Sequence, residues 1–486
     1  MSKLVLGGML AVSLVACVDA GDEESATSQA LSSHGAFFPN NIPIPNSAGL
    51  STTVSAAGSI DLGNEFFQDL GTNGRRCVSC HLPTAGWGIT PAQVQDVFNA
   101  TRGGEIDDPL GLGAIFRTND GANSPEADVS TLAKRRSAYS MLLTKGLIRV
   151  SLPVPADAEF ELIAVDDPYH HATAADVSMF RRPLPTTNLK FLSTVMWDGR
   201  ETFPGQTIHF DLSDQANGAT QGHAQGAPIS DAQRESIVAL EFGLHSAQIK
   251  DFDAGYLDRD GAKGGPNAIV AQEFHIGIND NFGDCIDADN TGCRVIGAPL
   301  GSGTRGAPFS PNVFTIYDAW AGSSKAARAA IARGQKLFNT RTFNISGVSG
   351  INDEAAFGNP SVVVGTCTTC HDSPNAGDHS VQAPLDIGLV DEGMRTPDMP
   401  LYTFRNKTTG AIRRVTDPGR AMVTGKWKHI GRFKGPILRS LSSRAPYFHN
   451  GMAANLREAV DFYDGRFNIH LKASEKADLV AFLETL

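Results

Sequence analysis

Residues 77–81 read "CVSCH" and residues 367–371 read "CTTCH". Both have the form C-x-x-C-H, and the spacing carries a chemistry. Two thiols one turn apart can add to the two vinyl groups on one edge of a porphyrin. The next residue then turns an imidazole onto the iron. This is the attachment signature of c-type haem. Two other readings compete with it. A thioredoxin-like redox pair needs no His after the second Cys, and a zinc site needs four ligands together, whereas most of the chain separates these pairs. Two matches in one chain therefore point to two covalently bound c-type haems. One is held by Cys77, Cys80 and His81, the other by Cys367, Cys370 and His371, with His81 and His371 as iron ligands.

The flanks agree with that reading. "GNEFFQDLGTNGRR" leads into the first motif as a helix-like stretch, and "AARAAIARGQKLFNTRTF" is a clearer helix before the second, with Leu337 and Phe338 on its apolar face. The chain closes on "SEKADLVAFLETL", where Ala477, Leu479, Val480, Phe482 and Leu483 follow helical spacing and Ser474 is a candidate cap. In small cytochrome c domains a helix before the motif packs on one at the domain's end. The expected fold is mainly α, with two cytochrome c-like haem domains and long loop insertions. The first domain is expected over 60–245, a loop-rich linker over 246–325 and the second domain over 326–486.

The start of the chain has the pattern of a targeting segment. Lys3 precedes an apolar run from Leu4 to Ala16, too short for a membrane span, and Ala16-Cys17 has the form of a lipoprotein cleavage site. Residues 1–17 are expected to be the signal, with a lipid on Cys17 as the sole membrane anchor; residues 18–59 are expected to be a flexible, polar tether. The mature protein would sit outside the cytoplasm, in the periplasm or outer envelope. Seven Cys are present: beyond Cys17 and the two motifs, Cys285 and Cys293 are left and are expected to pair as a disulfide. Their loop, "DCIDADNTGC", carries alternating acids that suit either solvation or calcium. The net charge of −11 argues against nucleic acid as a partner, and 41% hydrophobic content is that of an ordinary folded protein.

Two further stretches carry a resemblance. "FLSTVMWDGRETF" (191–203) is similar to the Phe-Trp-Asp-Gly-Arg segment of bacterial di-haem cytochrome c peroxidases and MauG. "FKGPILRSLSSRAPYFHNGMAANLREAVDFYDG" (433–465) resembles their P-Y-F-H-D-G segment and the E-A-V that follows. Four motifs occur in the family's order, over residues 60 to 486. The resemblance implies that Trp197 relays electrons between the haems. It implies that the haem of His81 is the reactive, high-spin centre and that the haem of His371 is low-spin and six-coordinate. It also implies that His449 hydrogen-bonds near a propionate and that the backbone around Arg444 and Pro446 helps to hold a calcium ion.

The chain departs from the family at two places. The peroxidases carry a distal Glu ten residues after a Gln-Ala pair, and counting from Gln215-Ala216 reaches Gln225, which can orient peroxide but cannot act as a general base. His223, two residues away, can supply that proton chemistry, or it is a surface histidine. His170 and His171 are candidates for a loop ligand that caps the reactive haem. The second departure concerns the sixth ligand of the second haem, which is Met in the peroxidases and Tyr in MauG. The equivalent position here is Tyr463. Met422 is its best rival, and Met394, Met399, Met452 and His470 also remain open. The leading expectation is a peroxidase that reduces hydrogen peroxide with electrons from a small periplasmic cytochrome or cupredoxin. The alternatives are MauG-like oxidation of a protein or organic substrate, and a purely electron-transferring cytochrome.

Overall fold

The computed structural model describes residues 37–280 and 310–486. The signal segment, Cys17, most of the tether, and Cys285 and Cys293 with their acidic loop lie outside these residues.

Each C-x-x-C-H motif forms the same local turn. Cys77–Ser79 and Cys367–Thr369 are single 3-10 turns, and a hydroxyl at the third motif position closes each one. Ser79 Oγ accepts from the Arg76 N–H at 3.1 Å, and Thr369 Oγ1 accepts from the Thr366 N–H at 2.9 Å. The His N–H in each motif donates to the carbonyl of the first Cys, at 3.1 Å in both. The two vinyl-spaced thiols and the imidazole therefore come preset by local hydrogen bonds.

The second motif lies against two packed helices. Ala326–Thr340, upstream of it, crosses the terminal helix Ala473–Glu484. The crossing is so close that a Cβ on Gly334 would meet the Asp478 carbonyl oxygen at 1.9 Å. Arg333 braces it through a bidentate pair with Asp478, at 2.8 and 2.7 Å. Gly334→Ala is thus expected to destabilise by about 1–3 kcal/mol through overpacking, although Ala is the better helix former by ~1 kcal/mol. A lowered urea midpoint of the holoprotein would register this, and an unchanged or raised midpoint would refute it. Ser474 lies inside the terminal helix's first turn; the cap position is Lys472, whose N–H is taken by the Glu475 carboxylate at 2.8 Å.

The first motif is built differently, and the expected helix before it is absent. That stretch contains only the short 3-10 turn Glu65–Phe67, capped by Asn64. Phe66 and Phe67 are buried beside the motif. Gly71 then runs so close to Ala224 that a Cβ would lie 1.9 Å from its carbonyl oxygen.

The tether expectation also needs correction. Residues 37–59 enter sheets: Gly49–Ser55 is almost wholly buried and pairs antiparallel with Leu244–Asp251, in a four-stranded sheet. Its Thr53 Oγ1 accepts from Trp87 Nε1 at 2.9 Å, which ties this strand to the first motif. The described ends of the linker expected over 246–325 likewise join a core. Val313, Phe314, Ile316, Tyr317 and Trp320 are buried against both helices of the second haem unit.

A third core corrects the picture of two separate haem domains. Leu401–Asn406 pairs with Phe160–Asp166 on one side and Ile412–Val415 on the other. Phe160, Tyr402 and Phe404 fill the space beneath, so the insertion of the first half and a segment of the second share one sheet. Among the described residues helix makes up 32% and strand 16%, so a mainly α fold is borne out only in part.

Candidate functional site

Two large clefts, about 1950 and 1460 Å³ of open space, each take one motif into their wall. Cys367, Cys370 and His371 line the larger, and Cys77, Cys80 and His81 the smaller. The four thiols form no disulfide. Burial pushes those of Cys77, Cys367 and Cys370 up to about 12, which keeps them as thiols.

Each imidazole is oriented from behind. His371 Nδ1 donates to the Gly377 carbonyl at 2.7 Å, and His81 Nδ1 to the Trp87 carbonyl at 3.3 Å. This leaves Nε2 of His371 with its lone pair available, the arrangement that metal-ligating His residues adopt, while the Leu184 backbone is a second partner of His81. Burial also lowers both imidazoles, His81 to about 4, so both are neutral at pH 7. Gly377 is constrained to be glycine: its φ is +79°, and a Cβ would meet the Phe314 ring at 2.8 Å. The thiols, the neutral imidazoles and the apolar walls fit two haems.

Trp197 lines both clefts. Its indole N–H donates to the Arg182 carbonyl at 2.8 Å, and its ring meets His449 edge-on, with centroids 6.1 Å apart. The W-D-G-R sequence now has a physical reason. Asp198 is fully buried and bonds Arg181, which also holds Asp417 at 2.7 and 2.9 Å. Gly199 has φ +71° and leaves room for Arg420, whose Nη1 donates to the Asp198 carbonyl at 3.0 Å. His449 lines the larger cleft, stacked on Phe433 at 4.0 Å, and neither ring nitrogen has a hydrogen-bond partner. Arg444 and Pro446 line the same cleft.

His223 caps the end of the helix Ile208–Gly222 and lines the smaller cleft. Its Nδ1 bonds the buried carboxylate of Asp120, which also pairs with Arg75. Arg75 is anchored in turn on the carbonyls of Ala114 and Ile115, at 2.9 and 2.8 Å. Burial alone would raise the Asp120 carboxyl, but Arg75 and His223 outweigh it and hold it below its ordinary range. Glu241 is a further acid on this wall. It is buried, its Oε2 has no hydrogen-bond partner, and burial pushes it up to about 8, so it is protonated at neutral pH. Sequence reasoning missed Arg75, Asp120 and Glu241, and the position of Arg75 just before the motif was the one available signal.

Gln225 is corrected. It is exposed, its Oε1 accepts from Asn73 at 3.2 Å, and it does not line the cleft. The helix ends at Gly222, so the chain has turned away by residue 225. His170 is exposed, and His171 is engaged with Glu126 and Asp176 at 2.8 and 3.0 Å; neither lines the cleft. Tyr463 lines the larger cleft with His371, their ring centroids 6.5 Å apart. Met422 does not: it is buried in the third core with Phe160 and Tyr402, which removes it as the rival ligand. Met394, Met399, Met452 and His470 are also absent from that wall.

The fold and site together define two motif-bearing clefts of a kind that fits haem, with Trp197 among the residues common to both walls. No protein-family model matches the chain. Cytochrome-c peroxidase IdrP1 of Pseudomonas sp. (strain SCT) is 35% identical over 140 residues, which is 25% of this chain and 36% of that protein. Cytochrome c551 peroxidase of Nitrosomonas europaea is 33% identical over 122 residues, 25% of this chain and 30% of that protein. The aligned stretches thus span about a third of these relatives' own lengths. A solved MauG-like protein associated with microbial copper homeostasis aligns over 64% of this chain and 74% of its own, at 18% identity and a TM-score of 0.32. Over these stretches the chain is similar to the named cytochrome-c peroxidases.

Proposed function

We propose that the chain is an exported c-type cytochrome with two covalent haems that reduces hydrogen peroxide to water, with electrons from a small periplasmic cytochrome or cupredoxin. The observation that carries this reading is Trp197, which is common to the walls of both clefts. Haem, when bound, supplies the iron that meets peroxide and the electrons that reduce it. The chain's own residues do the rest. His223, its Nδ1–H held by Asp120, keeps Nε2 free to take a proton from peroxide and return it to the leaving oxygen. Asp120 and Arg75 position it. Trp197 stands between the donor-side and peroxide-side clefts. His449 is available to a propionate, and the backbone at Arg444 and Pro446 to a calcium ion. A lipid on Cys17 would tether the protein to the membrane.

The test is the resting spectrum of the holoprotein followed by peroxide turnover with a reduced carrier. One high-spin and one low-spin ferric haem, with turnover, is the expected result. Two low-spin haems that stay inert to peroxide, even after partial reduction, would leave an electron-transfer cytochrome instead.

A second reading, MauG-like oxidation of a protein or organic substrate, is favoured by one observation: Tyr463 shares the wall of its cleft with His371. Phenolate is a hard anionic donor that favours ferric iron over ferrous, whereas a thioether raises the potential. Tyr463→Phe and Tyr463→Met are therefore both expected to change the low-spin ferric signal, the Met variant also raising the potential. An identical low-spin spectrum in both variants rules out the phenol as ligand.

A further inference from the structure

We infer, on the reading that the larger cleft holds a haem, that Arg182 and Arg444 take the two propionate carboxylates of that haem. No aspartate or glutamate lines this cleft, whereas Arg182, Arg341, Lys434 and Arg444 all do. Arg341 pairs with Glu475 at 3.3 Å, and Asp378 supplies the negative charge that acts on Lys434. No carboxylate acts on Arg182 or Arg444; the groups that do are Arg444 and Tyr447 for the first and Tyr447 for the second. The Tyr447 hydroxyl donates to the Leu441 carbonyl at 2.9 Å, and burial raises it, so it is neutral. Two positive charges are left over, and one haem brings two carboxylates.

Both guanidiniums are held by neutral acceptors and keep N–H groups in reserve. Arg182 Nη1 donates to the Lys145 carbonyl at 2.8 Å, and Nη2 to the carbonyls of Ile89 and Arg444 at 2.6 and 2.9 Å. Arg444 Nε and Nη2 donate to the carbonyls of Ser440 and Ile437 at 3.3 and 2.9 Å. A guanidinium carries five N–H donors, so neither is exhausted by these bonds. Arg182 is buried, and a buried cation that meets only backbone carbonyls is costly until an anion joins it. Burial, and after it the charge of Arg444, holds Arg182 down to about 9, which leaves it a cation at pH 7. The planar fork of each arginine matches a carboxylate, which takes two parallel N–H bonds. Position agrees with charge. Arg182 also lines the smaller cleft; its carbonyl accepts from the Trp197 indole at 2.8 Å, and its N–H donates to the His449 carbonyl at 2.7 Å. The carboxylate edge of a haem lies opposite its thioether edge. With Cys367 and Cys370 fixing the thioether edge, the two arginines turn the carboxylate edge toward Trp197.

The test is made on the purified holoprotein, with haem counted as pyridine haemochrome and the potential of the His371 haem followed by spectroelectrochemistry. Arg182→Gln and Arg444→Gln each remove one positive charge beside the carboxylates. Each should lower the equilibrium constant for reduction of that haem by about tenfold, which is about 59 mV for one electron, and shift its propionate-bending band in the resonance Raman spectrum. Arg444→Lys keeps the charge and should recover at least half of the change in potential. Where Arg182→Gln does not retain both haems, the two Arg444 variants decide. Glutamine variants that hold two haems with potential and band unchanged overturn the assignment of the carboxylates alone. So does Arg444→Lys at the potential of Arg444→Gln. A wild-type chain with fewer than two haems would instead overturn the reading of the clefts themselves.

Discussion

His223→Ala is expected to slow the reaction of the holoprotein with peroxide by roughly 10²–10⁴-fold, the range for loss of a positioned general base. The residue joins a protonatable nitrogen to a fixed tautomer, because its Nδ1 is committed to Asp120. Asp120→Asn should have a smaller effect, since an amide oxygen can still accept from Nδ1–H while the charge is lost. The sign of the pH dependence follows from Asp120. Arg75 and His223 overcome the effect of burial and depress its carboxyl, so the charge is present above the ordinary carboxylate range and is lost only as pH falls below it. Asp120 therefore stays ionised across about pH 5–8, and its replacement should cost activity throughout that window. Stopped-flow mixing with peroxide measures the effect. Reduction by an artificial donor serves as the control and should be unchanged, because His223 lies on the other cleft from His371. A variant that reacts with peroxide at the wild-type rate would assign the proton chemistry elsewhere, with Glu241 the next group to replace.

Arg181→Met is expected to cost about 3–5 kcal/mol, the range for leaving a buried charge without its partner. Arg181 is 1% exposed and lies between two buried carboxylates, Asp198 and Asp417. Both would lose that shared partner, Asp198 keeping Arg200 on its carboxylate at 3.2 Å and Arg420 on its carbonyl at 3.0 Å. Burial alone would raise the Asp198 carboxyl; Arg181 and Arg200 more than reverse that and hold it well below the usual range. A depressed carboxyl contributes stability above its unfolded pKa, about 4, and that stability is lost as pH falls through the lower folded value. The gap between wild type and variant should therefore be widest near neutrality and narrow below about pH 4. Chemical denaturation followed by haem absorbance at both pH values checks this, and equal midpoints at neutral pH would show that the network is not holding the fold. The consequences would reach the site, because the guanidinium lies 5.6 Å from the Phe433 ring on which His449 stacks.

The groups that short-range chemistry dictates were legible in the chain. The two C-x-x-C-H turns need only neighbouring hydrogen bonds, so thiols and imidazoles could be assigned from spacing. The helix before the second motif and the terminal helix follow from periodicity, and their close crossing needed only Gly334. The motifs around Trp197, His449 and Tyr463 identified residues that do line the clefts.

What could not be read depends on partners distant in sequence. Gly49–Ser55 has the polar Ser/Thr composition of a tether, and it becomes a buried strand because Leu244–Asp251 supplies its ladder and Thr53 supports Trp87. His223 and Gln225 are two residues apart, and both are candidates in the sequence. The end of one helix turns the first toward Asp120, 103 residues away, and leaves the second in solvent. Met422 stands as the best rival to Tyr463 in the sequence, but the shared sheet of the two halves buries it in another core. The sequence by itself determined which thiols and imidazole each turn brings together, because that spacing is local. The tertiary structure alone decided which side chains meet that chemistry, because burial and charge pairing are settled between segments that share no sequence neighbourhood.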